Sequence, residues 1–132
     1  MAVHFIPDDL VVSIHADVLQ RYGGRPGLRD RNLLASALAQ PKMTVGGKFV
    51  HKTLFQKAAA YGYRVCRNHP FIDGNKRVAF ILVDIFLQKN GWEIVAHEEE
   101  AYPMMMDLAS GKLPKALLAS WLKEHSSKLS RR

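Results

Sequence analysis

The chain has 132 residues, 48% of them apolar and 23% charged, with a formal charge of +7 and a single cysteine. That length fits one domain with one core. No apolar run reaches the roughly 18 to 20 residues a membrane span needs, because Asp84 and Lys89 interrupt the best candidate, and Cys66 has no partner for an internal disulfide. The charge favours an anionic partner. The lone cysteine and the absence of a basic-then-apolar leader fit a reducing cytoplasm.

Pro7-Asp8-Asp9 opens a first helix with acids in its first turn, carrying Leu10, Val11, Ile14, Val18 and Leu19 at helical spacing until Gly23-Gly24. Asp30 is expected to cap a second helix, with Leu33, Leu34, Ala37 and Leu38 on one face and Pro41 near its end. Arg29-Asp30 superficially echoes a kinase catalytic loop. The cap is preferred, because the other kinase parts are missing.

Thr44, Val45, Gly46, Gly47, Lys48 and Phe49 read as two short β-prone pieces around a Gly-Gly turn, a hairpin signal. Gly46-Gly47-Lys48 is not a phosphate loop, since the upstream glycine and the following Ser/Thr are absent. Thr53 to Asn68 is expected to be a third helix, its Ala58, Ala59, Ala60 and Gly62 permitting close approach of a neighbour, with Cys66 a small buried hydrophobe. A buried central helix should run from about Asn75 to Asn90, apolar nearly all round. A short strand at Trp92 to Val95, a helix from Glu98 to Ser110 with Met104, Met105 and Met106 as core filler, and a last helix with Leu117, Leu118, Trp121 and Leu122 complete residues 1–125. Residues 126–132 read as a basic, disordered tail.

Between the third helix and the central one lies His69-Pro-Phe-Ile-Asp-Gly-Asn-Lys-Arg-Val-Ala-Phe80. A helix start favours acids and disfavours cations. Lys76 and Arg77 in that first turn therefore make poor helix chemistry and a good cradle for a phosphate chain. Gly74 lets backbone approach a ligand, Asn75 offers a cap and a side-chain amide, and Asp73 is a candidate Mg²⁺ ligand or N-cap. His69 is the candidate base for an incoming hydroxyl. His4, His15, His51, His97 and His125 are taken as ordinary core or surface histidines, and no His-Glu-x-x-His pair or cysteine cluster proposes zinc.

The twelve-residue motif resembles the signature of the Fic/Doc superfamily, and in particular its death-on-curing (Doc) toxin branch. Gly27-Leu28-Arg29-Asp30 with Leu33 to Leu38 resembles the family's N-terminal region, and Ala109-Ser110-Gly111 with the Trp121 helix resembles its C-terminal end. The resemblance implies a mainly α fold, a compact bundle of about six helices whose 44–49 hairpin is a flap that holds the target polypeptide. It implies His69, Lys76 and Arg77 as catalytic residues, phosphates held by Gly74, Asn75, Lys76 and Arg77, Mg²⁺ on Asp73, and Phe71 and Phe80 as anchors. AMP-transferring Fic proteins carry glycine where Lys76 stands and arginine where Phe80 stands, so the motif here is similar to the Doc form. That form implies transfer of the γ-phosphate of ATP to a Ser/Thr hydroxyl of elongation factor Tu, arrest of translation, and a cognate antitoxin. The alternatives are an AMP transferase and a non-catalytic nucleotide-binding module. Neither a nucleic-acid reader motif nor a basic stripe interleaved with aromatics is present, so neither nucleic acid nor membrane is an expected partner.

Overall fold

The computed structural model describes residues 2–129. Six α-helices run in the order α1 (Asp8–Tyr22), α2 (Arg31–Ala39), α3 (Leu54–Asn68), α4 (Asn75–Lys89), α5 (Glu98–Ala109) and α6 (Lys115–Glu124). A 3₁₀ turn at Gln40–Lys42 continues α2, with Pro41 buried inside it. Two small antiparallel sheets complete the fold: β1 (Thr44–Val45) with β2 (Lys48–Phe49), and β3 (Trp92–Ile94) with β4 (Ser126–Lys128).

The core forms where α3 and α4 lie against each other. Val78, Ala79, Leu82, Val83, Phe86 and Leu87 of α4 are buried, as are Ala58, Ala59, Ala60, Tyr61, Gly62 and Val65 of α3. The small residues of α3 allow the approach. A Cβ built on Gly62 would stand 2.9 Å from Val83 Cγ2, and the β-branched Val83 has little rotamer freedom to retreat. Gly62→Ala therefore gains about 1 kcal/mol of helix propensity and loses about 1–3 kcal/mol to overpacking. The expected result is a net loss of about 0–2 kcal/mol in urea unfolding with an unchanged m-value; a stabilised variant would contradict this packing.

Local chemistry accounts for most element ends. Asp30 caps α2 as expected, its Oδ1 accepting from Leu33 N–H at 3.0 Å. Thr53 and Gln56 form a reciprocal capping box at the start of α3. The N-terminal arm is pinned by side chains from the core helices. Tyr61 Oη accepts from Ile6 N–H at 3.2 Å, and the Asn90 amide exchanges hydrogen bonds of 2.9 Å with the His4 backbone.

Several expectations need correction. Residues 126–128 are the strand β4, with Trp92 opposite Lys128, Glu93 opposite Ser127 and Ile94 opposite Ser126, so a disordered tail does not begin at 126; residues 130–132 lie outside the described residues. A polar Ser-Ser-Lys run has no strand signature of its own, and β3 supplies the missing partner. Leu117 is exposed and α6 packs through Leu118 and Leu122 instead. Of the three methionines, Met105 fills the core and Met106 is exposed. Cys66 is buried, and burial pushes its thiol up to about 12, which agrees with an inert apolar role.

Candidate functional site

α3 ends at Asn68, and His69 closes it in left-handed backbone at φ 51°, ψ 55°, the one non-glycine residue at positive φ among the described residues. A side chain in that region carries strain, and several bonds hold it there. His69 N–H donates to Val65 O at 3.1 Å. Arg29 clamps the same turn from across the chain, Nε donating to His69 O at 2.7 Å and Nη2 to Asn68 O at 2.9 Å. Arg29 N–H and Asp30 N–H both donate to Pro70 O, at 2.7 and 3.0 Å, and Ile72 N–H donates to Gly27 O at 3.0 Å. The Gly27–Asp30 stretch is thus a brace laid along the motif loop. The imidazole it positions is exposed, within reach of a macromolecular hydroxyl.

Phe71 anchors the loop as expected, 1% exposed. It stacks on His15 with ring centroids 3.9 Å apart and 9° between planes, while His15 Nε2 donates to Asp73 O at 2.8 Å. His15 is therefore a satisfied core histidine that fixes the height of Asp73. Val11, His15 and Val18 are the buried face of α1, a spacing of four and three residues that could have found it.

Asn75 behaves differently from expectation. It is buried, its Oδ1 accepting from Phe71 N–H at 3.0 Å and its Nδ2 donating to Phe71 O at 2.9 Å. The side-chain amide is thus engaged on the loop through both its oxygen and its nitrogen. Nor does Asn75 or Asp73 cap α4: the N-cap is Gly74, at φ 83°, with no side-chain cap bond. With no side-chain cap, the first turn of α4 presents the positive helix end to the cleft.

The Asp73 carboxylate accepts Arg25 N–H on Oδ2 at 3.1 Å and Gly74 N–H on Oδ1 at 2.9 Å. These two backbone bonds, aided by the charges of Arg25 and His15, hold it below the usual aspartate range. Such a group contributes stability that is present above its unfolded pKa and is lost as pH falls through its depressed folded pKa. In a carboxyl-carbon NMR titration Asp73 is expected to have its midpoint below the ~3.9 of a free aspartate, and a midpoint at or above that value would contradict this geometry. Each carboxylate oxygen keeps a lone pair after its backbone bond. No group of three or more His, Cys, Asp or Glu side chains that could hold a metal occurs among the described residues. A single ionised, exposed carboxylate suits Mg²⁺, which completes its shell with phosphate oxygens and water, and does not suit zinc.

Arg77 lies between two aromatic rings, its guanidinium carbon 4.1 Å from the Tyr22 centroid and 4.3 Å from the Tyr102 centroid. These rings come from the end of α1 and from α5, and nothing in the motif announces them. Each face contact is worth roughly 0.5–1 kcal/mol at an exposed site, so the long side chain is ordered before any ligand arrives. Lys76 beside it is exposed. His69, Asp73, Gly74, Asn75, Lys76 and Arg77 line one cleft of about 420 Å³, walled by Tyr22 and Tyr102. Phe80 is not in that lining. It lies three residues beyond Arg77 on α4, half-buried against the core.

Residues 44–49 form the expected hairpin, Thr44 pairing with Phe49 and Val45 with Lys48 around Gly46-Gly47. The hairpin is tied down by Lys57, a buried lysine of α3 whose Nζ sits 4.2 Å over the Phe49 ring and donates to His51 O at 2.6 Å. As a two-stranded sheet it keeps open edges.

Fold and site together define a mainly α protein with an anion cradle at a helix start, flanked by an exposed histidine and an ionised carboxylate. The model of the Fic/DOC family matches residues 5–87, more than half of the chain. The chain belongs to the Fic/Doc family. It is similar to the Toxin Doc of Mycolicibacterium smegmatis, 41% identical over 75 residues that span 57% of this chain and 58% of that one. It is also similar to the Protein kinase doc of Escherichia phage P1, 28% identical over 120 residues that span 91% of this chain and 93% of that one. The first match thus covers little more than half of that relative's length. No helix of the described residues is long and apolar enough to cross a membrane.

Proposed function

We propose that the chain is a Doc-type toxin that acts in the cytoplasm as a protein kinase, moving the γ-phosphate of ATP to a Ser or Thr hydroxyl and so arresting translation. The observation that carries this is one cleft lined by His69, Asp73, Lys76 and Arg77, with the histidine exposed at its rim. The kinase named among the relatives and the Doc-like motif support the same reading.

In the transfer, His69 takes the proton from the acceptor hydroxyl as its oxygen bonds to the γ-phosphorus. The bond from that phosphorus to the β–γ bridging oxygen breaks, and ADP leaves with the electron pair. Lys76, Arg77 and the first-turn N–H groups of α4 hold the phosphate chain and meet the charge that develops on it. Asp73 is the residue that would hold Mg²⁺, which supplies charge neutralisation on the phosphate oxygens. An extended segment of the target would add as a strand to an edge of the β1–β2 flap. Phe80, turned to the core, gives the nucleotide no second arginine fork of the kind that the AMP-transferring pattern implies. An antitoxin is the expected inhibitor. Elongation factor Tu is the target the family resemblance implies.

A cell-free bacterial translation system tests the reading. Added protein is expected to halt synthesis only when ATP can give up its γ-phosphate, with one phosphoryl group gained by elongation factor Tu in intact-mass spectra. Synthesis that stops without a phosphoryl gain on any translation factor would contradict it.

A further inference from the structure

Around Tyr63 of α3, cations gather that no ion pair among the described residues balances. Tyr63 is ringed by Arg64, Arg67 and Lys115, whose charged groups lie 5.5, 6.0 and 5.7 Å from its centroid. Neither ion pair among the described residues, Arg21–Asp17 or Lys42–Asp8, involves any of them. Next to this group His51 is 8% exposed, and its Nε2 has no hydrogen-bond partner; the Nε of Arg64 is likewise buried and unpaired. Buried polar atoms in native proteins nearly always find partners, so two orphans in one basic cluster point to a missing acceptor.

His51 lines a separate pocket of about 150 Å³ with Val50, Gln56, Lys115, Ala116 and Ala119. The last three belong to the first turns of α6, whose N-terminus has no side-chain cap and carries positive partial charge. Burial, and after it the charges of Lys115, Lys57 and Arg64, hold the His51 imidazole below its ordinary pKa, the mark of a site short of negative charge. At about 150 Å³ the pocket has room for a phosphate or a carboxylate group. The surrounding cations exclude a metal ion.

We infer that this pocket is a second ligand site, distinct from the motif cleft, that takes a small oxyanion between His51 and Lys115 in the field of Arg64 and Lys57. The anion accepts from the imidazole N–H, a neutral donor, and from the charged Lys115 ammonium. The inference is independent of the transfer reaction, and its test needs no turnover.

The test follows the His51 imidazole by NMR, assigned by its loss in His51→Gln, at constant ionic strength held with chloride. Inorganic phosphate and acetate are titrated separately. A saturable shift of the His51 signal is expected with phosphate. If acetate gives it too, the site reads any oxyanion, carboxylates of a protein partner included; if phosphate alone does, it reads a dianion. The affinity should fall about tenfold in Lys115→Met and in Arg64→Met, and should persist in Lys76→Ala. No saturable shift with either anion overturns the inference, as does a shift abolished by Lys76→Ala and kept in Lys115→Met, which would place the ion in the motif cleft.

Discussion

His69→Gly is expected to abolish transfer while leaving the fold within about 1 kcal/mol of the original. The two halves of that result have separate causes. The imidazole is the one histidine among the described residues lining the cleft and it is exposed, and a positioned general base is worth about 10²–10⁴ in rate, so a fall of at least about 100-fold is expected. The backbone at φ 51° is strained for histidine and free for glycine, which returns about 1 kcal/mol against a similar loss from the more flexible unfolded chain. His69→Ala removes the base but keeps the strain, so it should be the less stable of the two. Thermal melts and phosphate transfer measured side by side on both variants check this. Activity within tenfold of the original in His69→Gly would remove His69 from the role of base.

Asn75→Ala is expected to cost stability on the scale of a core truncation, although Asn75 is polar. Its buried amide satisfies both backbone groups of a residue in the core, Phe71 N–H and Phe71 O. Each orphaned group costs about 1–3 kcal/mol, so a loss of about 2–6 kcal/mol and a Tm lower by about 10–20 °C are expected. The damage should travel. Phe71 stacks on His15, and His15 holds Asp73 O, so transfer should fall more than tenfold even at temperatures where the variant stays folded. Asn75→Asp keeps the acceptor for Phe71 N–H but sets a carboxylate oxygen against Phe71 O, and should be no better. A Tm within about 2 °C of the original would contradict the buried bridge.

What could be seen in the sequence was what the chain makes locally. The acid-led start of α1, the capped start of α2, the Gly-Gly hairpin and the apolar central helix each depend on residues a few places apart, and all appear where expected. The motif loop is local in the same sense, which is why His69, Asp73, Lys76 and Arg77 could be grouped before any coordinates. The parts not seen come from afar. Arg29 reaches the loop across 40 residues and His15 across 58, and Tyr22 and Tyr102 meet only because Arg77 stands between them. Asn75 shows the converse error. Its type suits a cap or a phosphate ligand equally well, and only the position of Phe71 decides that its amide is engaged on the loop.

The central claim is that this cleft presents the γ-phosphate, and not the α-phosphate, to a protein hydroxyl. It is tested most directly by incubating the protein with Mg²⁺ and bacterial extract beside ATP labelled on the γ-phosphate in one tube and on the α-phosphate in another, with His69→Gly as control. Label on a protein band from the γ position alone, lost in the variant, is the predicted result. Label from the α position would show that Lys76 and Phe80 do not turn the nucleotide, and would make the protein an AMP transferase instead.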